Sequence, residues 1–235
     1  MIGSHQDITD RKLFEIALEA SRSFERLATE IANRFMNIPA EQIDRTVQST
    51  LQLIGEHMGA DRSYIFIFSD DLSVMNNTHE WCAEGIEPQI DILQKLPTSI
   101  FPWWMERIRA NEIIHIPRIS DMPVEAGAEK EILESQQIQS LIVIPLAAGQ
   151  QPFGYIGFDA VREPIYWTPD TVSVLKLAGG VIANALQRRK VEAIIQAELD
   201  LALRLNTTSS VAETLANILA SALEISGMES GGIYL

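Results

Sequence analysis

The block SYIFIF, Ser63 to Phe68, restricts the fold of this chain more than any other stretch. It is filled by β-branched and aromatic residues, so as a strand it needs cover on both faces, and the polar run Ser69-Asp70-Asp71 ends it. SVMNNTHEWCAEG then reads as its antiparallel partner. Later, SLIVIPLAAGQQPFGYIGFDAV reads as a hairpin: Leu141 to Leu146, a turn over Ala148 to Gln151, and Phe153 to Val161. A short strand is expected at Ile113 to Ile116. Strands that need cover on two sides call for helices on both sides of one sheet.

Those helices are legible. From Arg11 to Asn37 the chain has neither Pro nor Gly, and Leu13, Ala17, Ala20, Phe24, Leu27 and Ile31 form a stripe at near-heptad spacing until Pro39 breaks it. A second helix, Ala40 to Met58, carries Ile43, Val47, Leu51 and Ile54 and stops near Gly59. Shorter helices are expected over Pro102 to Ala110 and Ala128 to Gln137. A long one opens at WTPD, with Thr168 as N-cap and Pro169 in the first helical position, and runs through RRK to Leu205. Its apolar positions include Ile182, Leu186, Ile194 and Leu201. A last helix covers Val211 to Ser226. The element order predicts an α+β fold: a central antiparallel sheet of about five to six strands with helices on both faces, flanked by long helices.

Composition narrows the function classes. With 18 Lys and Arg against 32 Asp and Glu, the net charge of −14 opposes nucleic acid and anionic membranes as partners. The single cysteine, Cys82, excludes an intrachain disulfide framework. With no apolar run long enough to span a bilayer, the sequence predicts a cytoplasmic segment without membrane contact.

Several blocks together, GADRSYIFIF, NTHEWCAEGI, SLIVIPL, GYIGFDAVREPIYWTPD and LAGGVIANALQRRK, resemble a GAF domain of bacterial sensor kinases. The likeness spans residues 24–190. GSHQDITDRK is similar to the closing strand and exit of a PAS domain, and the stretch after Leu203 resembles the opening of a second GAF domain. The resemblance implies a PAS–GAF–GAF array: the end of a PAS domain over 1–12, a connecting helix over 13–23, the GAF domain over 24–190, a linker helix over 191–206 and a truncated second GAF domain over 207–235. It also implies a small-molecule pocket between the sheet and the helices on one face, a homodimer paired through the terminal helices, and a downstream output domain such as the histidine kinase of a two-component system. The expected pairing seam is Leu13, Ala17, Ala20, Phe24, Leu27, Ile182, Leu186, Ile194 and Leu201.

Candidate ligand contacts follow from the aromatic and polar residues near such a pocket. In SIFPWWMERI, Pro102 fixes a helix start, so Trp103 and Trp104 point roughly 100° apart, and one can pack inward while the other lines or lids a pocket. Phe101, Trp81, Cys82, His115 and Phe158 complete the candidate set, with core packing or a loop hydrogen bond as the competing role. His79 and Cys82, three apart on a strand, face opposite ways, so no metal site is expected. Cys82 is followed by Ala83 rather than by the histidine common at bilin-attachment cysteines of phytochrome-like GAF domains, and no cofactor is expected. Phe158-Asp159 lacks the asparagine and lysine that accompany such a pair in cyclic-nucleotide-binding members; a strand-end salt bridge or turn is the expected role of Asp159 or Arg162. No nucleophile elbow, phosphate loop or zinc-protease motif occurs. The resulting expectation is a non-catalytic sensory module that binds an unknown small molecule. The alternatives are a dimerisation spacer without ligand and a GAF-fold reductase, the latter disfavoured because thiol chemistry needs a resolving partner.

Overall fold

The computed structural model describes Glu19, residues 22–207 and residues 211–227. Helix α1 covers 22–35, and a single 3-10 turn leads into α2 (Ile43–Met58), which ends at Gly59 in the left-handed conformation that glycine adopts freely. Then come β1 (Arg62–Phe68), β2 (Val74–Cys82), the two-residue β3 (Leu96–Pro97), α3 (Pro102–Arg109), β4 (Ile114–Ile116), α4 (Gly127–Ser135), β5 (Ser140–Ala148) and β6 (Gln151–Ala160). Two helices close the chain, α5 (Pro169–Thr207) and α6 (Val211–Ser226). The strands form one antiparallel six-stranded sheet in the order β3-β2-β1-β6-β5-β4. The α+β class and the strand count agree with the sequence expectation; β3, too short to carry a periodic signal, is the strand it lacks.

Strand alternation assigns side chains to two faces. In β1, Ser63 and Ile65 face one way, and in β6 they meet Phe158 and Ile156. This face is packed shut. Ser63 donates its hydroxyl to the Leu51 carbonyl of α2 at 2.9 Å, and Ile144 and Ile156 touch α5 at Gly179, where a Cβ would stand 3.1 Å from Ile144. Ile65, Ile142, Ile156 and Phe158 have no exposed surface. Arg62, Tyr64, Phe66 and Phe68 face the other way, toward α3 and α4, together with Met75, Leu141, Val143 and Tyr155.

The long helix begins as its sequence predicts: the Thr171 amide donates to Thr168 Oγ1 at 3.2 Å, and Gly179-Gly180 does not interrupt it. The expected pairing seam needs correction. Leu27, Ile182 and Leu186 are buried rather than presented to a partner, and α1 and α5 as far as Ile182 spend their apolar stripes on this chain's own core. Phe24 is half-buried and stacks edge-on to His57 of α2. Leu13, Ala17 and Ala20 lie outside the described residues, as do the PAS-like segment and the last residues of the second GAF-like segment. Further along α5, Ile194 remains exposed and Leu201 is half-buried. By compactness the chain divides into two units, Met1–Asn184 and Ala185–Leu235, the first holding the sheet and the second the end of α5 with α6. Among the described residues no helix is long and apolar enough to cross a membrane.

Candidate functional site

Between the sheet and the two short helices α3 and α4 lies a cavity of about 50 Å³, where about 10–15 Å³ suffices for one water. The floor comes from β1 and β6, whose Tyr64, Phe66, Tyr155 and Asp159 alternate with the residues of the closed face. From α4, Glu129, Ile132 and Leu133, with Gln136 at its C-cap, enter at the spacing of one helical face. Trp104 descends from α3, with Phe101 just before it, and the segment after β2 adds Leu93 and Leu96. The walls are aromatic: Tyr155 stacks on Phe66 with 5.0 Å between centroids and meets Trp104 edge-on at 5.9 Å.

One end of the cavity is charged. Arg62 is almost fully buried and sits 3.5 Å from Asp159, 3.9 Å from Glu80 and 3.4 Å from the Gln136 side-chain oxygen. The Tyr64 hydroxyl donates to Asp159 at 2.9 Å. Tyr64 reaches it by lying over Gly157, where a Cβ would stand 2.4 Å from the ring. Burial pushes the Asp159 carboxyl up to about 7, against the opposing pull of Arg62 and Tyr64. The phenols of Tyr64 and Tyr155 are both held well above their ordinary range, chiefly by burial.

Glu80 is fully engaged. One oxygen accepts the amides of Gln89 and Ile90 at 2.7 and 3.0 Å, and the other accepts Asn77 at 3.2 Å. This clamps the segment after β2 over the cavity. Glu129 is engaged on one side only: its Oε1 accepts the Trp104 amide at 3.2 Å, placing the carboxylate at the N-terminus of α3. Its Oε2 has no partner, and neither has Trp104 Nε1, although both are buried.

The candidate residues from the sequence divide by face. Trp104 and Phe101 line the cavity, and Trp103 is half-buried outside it with the Arg107 guanidinium 3.7 Å over its ring. Trp104 is therefore the one of the pair that faces inward. Trp81 and Phe158 face the closed side and do not line the cavity, a correction to the expectation: Trp81 packs where Gly55 of α2 leaves room, and Phe158 lies against Trp167. His115 also points away, exposed on a strand whose Ile114 and Ile116 face the cavity side. Cys82 shares the face of Glu80 and pairs with Arg62 across the strands, but it is not among the lining residues. Its thiol is pushed up to about 11, first by burial and then by the charge of Glu80. A thiol so held is a poor nucleophile at neutral pH.

His79 is buried on the closed side, where its Nε2 meets Asp44 of α2 at 3.0 Å and Thr78 meets its Nδ1 at 2.9 Å. Burial lowers its basicity, so the contact is a hydrogen bond from a neutral ring rather than an ion pair. Arg162 does take the strand-end role: it pairs with Asp61 at 3.0 Å, and Asp61 also accepts the amides of Val161 and Arg162. Asp159 is paired as well, but inside the cavity. Among the described residues no cluster of His, Cys, Asp and Glu could hold a metal ion.

The residues that sequence reasoning missed are Arg62, Tyr64, Glu80, Glu129 and Asp159. Two signals were present. Arg62 and Tyr64 alternate with Ser63 and Ile65 and so share a face with Phe66, and Glu129 falls in register with Ile132, Leu133 and Gln136.

Comparison with known proteins agrees with this architecture. The family model described as "GAF domain" matches residues 42–186. The methanogenesis regulatory histidine kinase FilI of Methanothrix harundinacea (strain 6Ac) is 31% identical over 199 residues, 81% of this chain and 21% of the relative. The chain thus spans about a fifth of that kinase. Among solved structures, the phycocyanobilin-bound GAF domain of a cyanobacterial phytochrome aligns with a TM-score of 0.59 at 18% identity, covering 72% of this chain and 96% of that one. The photosensory core module of Stigmatella aurantiaca phytochrome aligns at 0.62 and 17% identity, over 86% and 45% of the two chains.

Proposed function

The chain belongs to the GAF domain family and is similar over most of its length to a regulatory histidine kinase, and from that premise we propose that it is the non-catalytic ligand-sensing section of a longer signalling protein. The observation that carries this reading is the aromatic-walled cavity, lined by Glu129 and Trp104, each of which has a buried polar atom without a partner. Its present size suits a few waters or a small organic molecule. A tetrapyrrole or a nucleotide needs several hundred Å³, so neither fits without rearrangement.

The sheet is the route by which occupancy reaches the rest of the molecule. Tyr155 and Asp159 touch the cavity while Ile156 and Phe158, between them on β6, pack on the closed side, where Ile156 and Ile144 meet α5. A shift of β6 on binding therefore moves the seat of α5, and α5 runs unbroken from Pro169 to Thr207. The proposed output is a histidine kinase domain, and the proposed assembly is a dimer paired along the exposed apolar part of α5, which includes Ile194, Ile195 and Leu199. The raised thiol of Cys82 speaks against the reductase alternative.

Two glycines inserted after Arg189 in the full-length signalling protein test the relay. The expected outcome is an output that no longer responds to input while the domain still folds and binds; unchanged regulation would count against transmission through α5.

A further inference from the structure

The acidic and basic groups lining the cavity are not equally matched. Arg62 faces Asp159 and Glu80, and Glu80 has backbone partners on one oxygen and Asn77 on the other. That set is nearly closed: Arg62 Nε, 3.9 Å from Glu80, and Asn77 Oδ1 make no hydrogen bond. Glu129 stands apart, 1% exposed, with Oε1 on the Trp104 amide and Oε2 unpartnered. A buried carboxylate oxygen without a donor is costly, and the N-terminus of α3 offsets the charge only through Oε1. Trp104, Tyr155 and Phe101 line the same space, and aromatic rings attract cations. An anionic ligand would meet the Glu129 carboxylate directly, and the Arg62 guanidinium is already shared with Glu80 at 3.9 Å and Asp159 at 3.5 Å.

We propose that the cavity takes a small organic cation, with an ammonium or amidinium group donating to Glu129 Oε2 and its apolar part against Trp104, Tyr155 and Phe101. The inference rests on the sensory reading above and specifies its ligand class. Trp104 Nε1, also unpartnered, is free to donate to an oxygen of the same molecule. The surrounding Ile132, Leu133 and Met75 offer apolar walls rather than acceptors for a long polar chain, so the ligand is compact.

The test uses isosteres that differ only in charge: acetamidinium, acetamide and acetate, each titrated at constant ionic strength. At a ceiling of about 1.5 kcal/mol per heavy atom a four-atom probe binds no tighter than tens of micromolar, so titration runs from there to tens of millimolar. Binding is read from the indole N–H resonance of Trp104, assigned with Trp104→Phe, and from the unfolding temperature. Acetamidinium is expected to shift both with saturation, and acetamide and acetate are not. In Glu129→Gln, which keeps the acceptor for the Trp104 amide, affinity is expected to fall about ten- to a hundred-fold. If the Glu129→Gln substitution abolishes folding, the charge series on the unaltered protein decides alone. Acetamide or acetate binding as well as acetamidinium, or an unchanged affinity in the folded Glu129→Gln variant, overturns the cation assignment and leaves the sensory cavity standing. Saturation by none of the three probes overturns the cation assignment. Failure of a wider neutral, anionic and cationic fragment set would then also remove the sensory reading.

Discussion

The two faces of the sheet are built from alternate residues of the same strands, yet they follow opposite rules. On the closed face, Ile65, Ile142, Ile156 and Phe158 are wholly buried against long helices, and the polar Ser63 and His79 have their hydrogen bonds, while Trp167 Nε1 beside Phe158 has none. On the open face, the covering helices have eight and nine residues, Arg62, Glu80, Glu129 and Asp159 are buried, and Glu129 Oε2 and Trp104 Nε1 lack partners. Each face holds an unpaired indole N–H, but the open one also buries three acids, one of them with an unpaired oxygen. On the sensory reading proposed above, the contrast places stability mainly on one side and recognition on the other, a hair's breadth apart along the chain.

The sharpest way to break that division is Phe158→Ala. On the closed side the loss of a fully buried ring next to Trp167 is expected to destabilise by about 3–5 kcal/mol, measured by denaturant unfolding, with ligand affinity of the remaining folded protein unchanged. An equal loss of affinity would show that the faces are not separable. Next in size is a pH effect confined to the open face. The folded-state value of Asp159 lies at about 7, above its ordinary 3.8, so the folded protein holds that proton more tightly than the unfolded chain does. Its contribution is therefore most favourable below the ordinary value, declines as pH rises toward about 7, and is level above it, by on the order of a few kcal/mol in all. Asp159→Asn is expected to flatten that part of the stability profile between those pH values; an unchanged profile would place the proton elsewhere. Smallest in stability is Leu133→Phe, which extends a side chain into the cavity. It is expected to change stability by less than about 1.5 kcal/mol while abolishing probe binding, because the added volume enters existing space.

The sequence made the elements legible because their signals are local. The dense block Ser63 to Phe68, the Thr168-Pro169 start and the helix stripes each report on their own few residues, and the hairpin over Leu141 to Val161 follows from them. The site was less legible because it depends on which face of the sheet is left open. Trp81 and Cys82 are neighbours on one strand and so point to opposite sides; alternation alone says that they differ, not which one meets α2. Phe158 and Asp159 pose the same question, and there the aromatic residue took the closed side while the acid took the cavity. His115 sits on an edge strand, where one face ends in solvent. The pairing stripe was misread for a related reason: a helix that packs on its own sheet and one that packs on another chain share the same spacing, and Leu27 and Ile182 do the former.

The ring of Tyr64 resting on Gly157 also limits how the proposed pocket can change its taste. Any side chain at position 157 would unseat that ring, so mutation has almost no room to redraw the base of the chamber. New preferences must be written into α3, α4 and the segment clamped by Glu80, parts that can vary while the platform beneath them stays as it is.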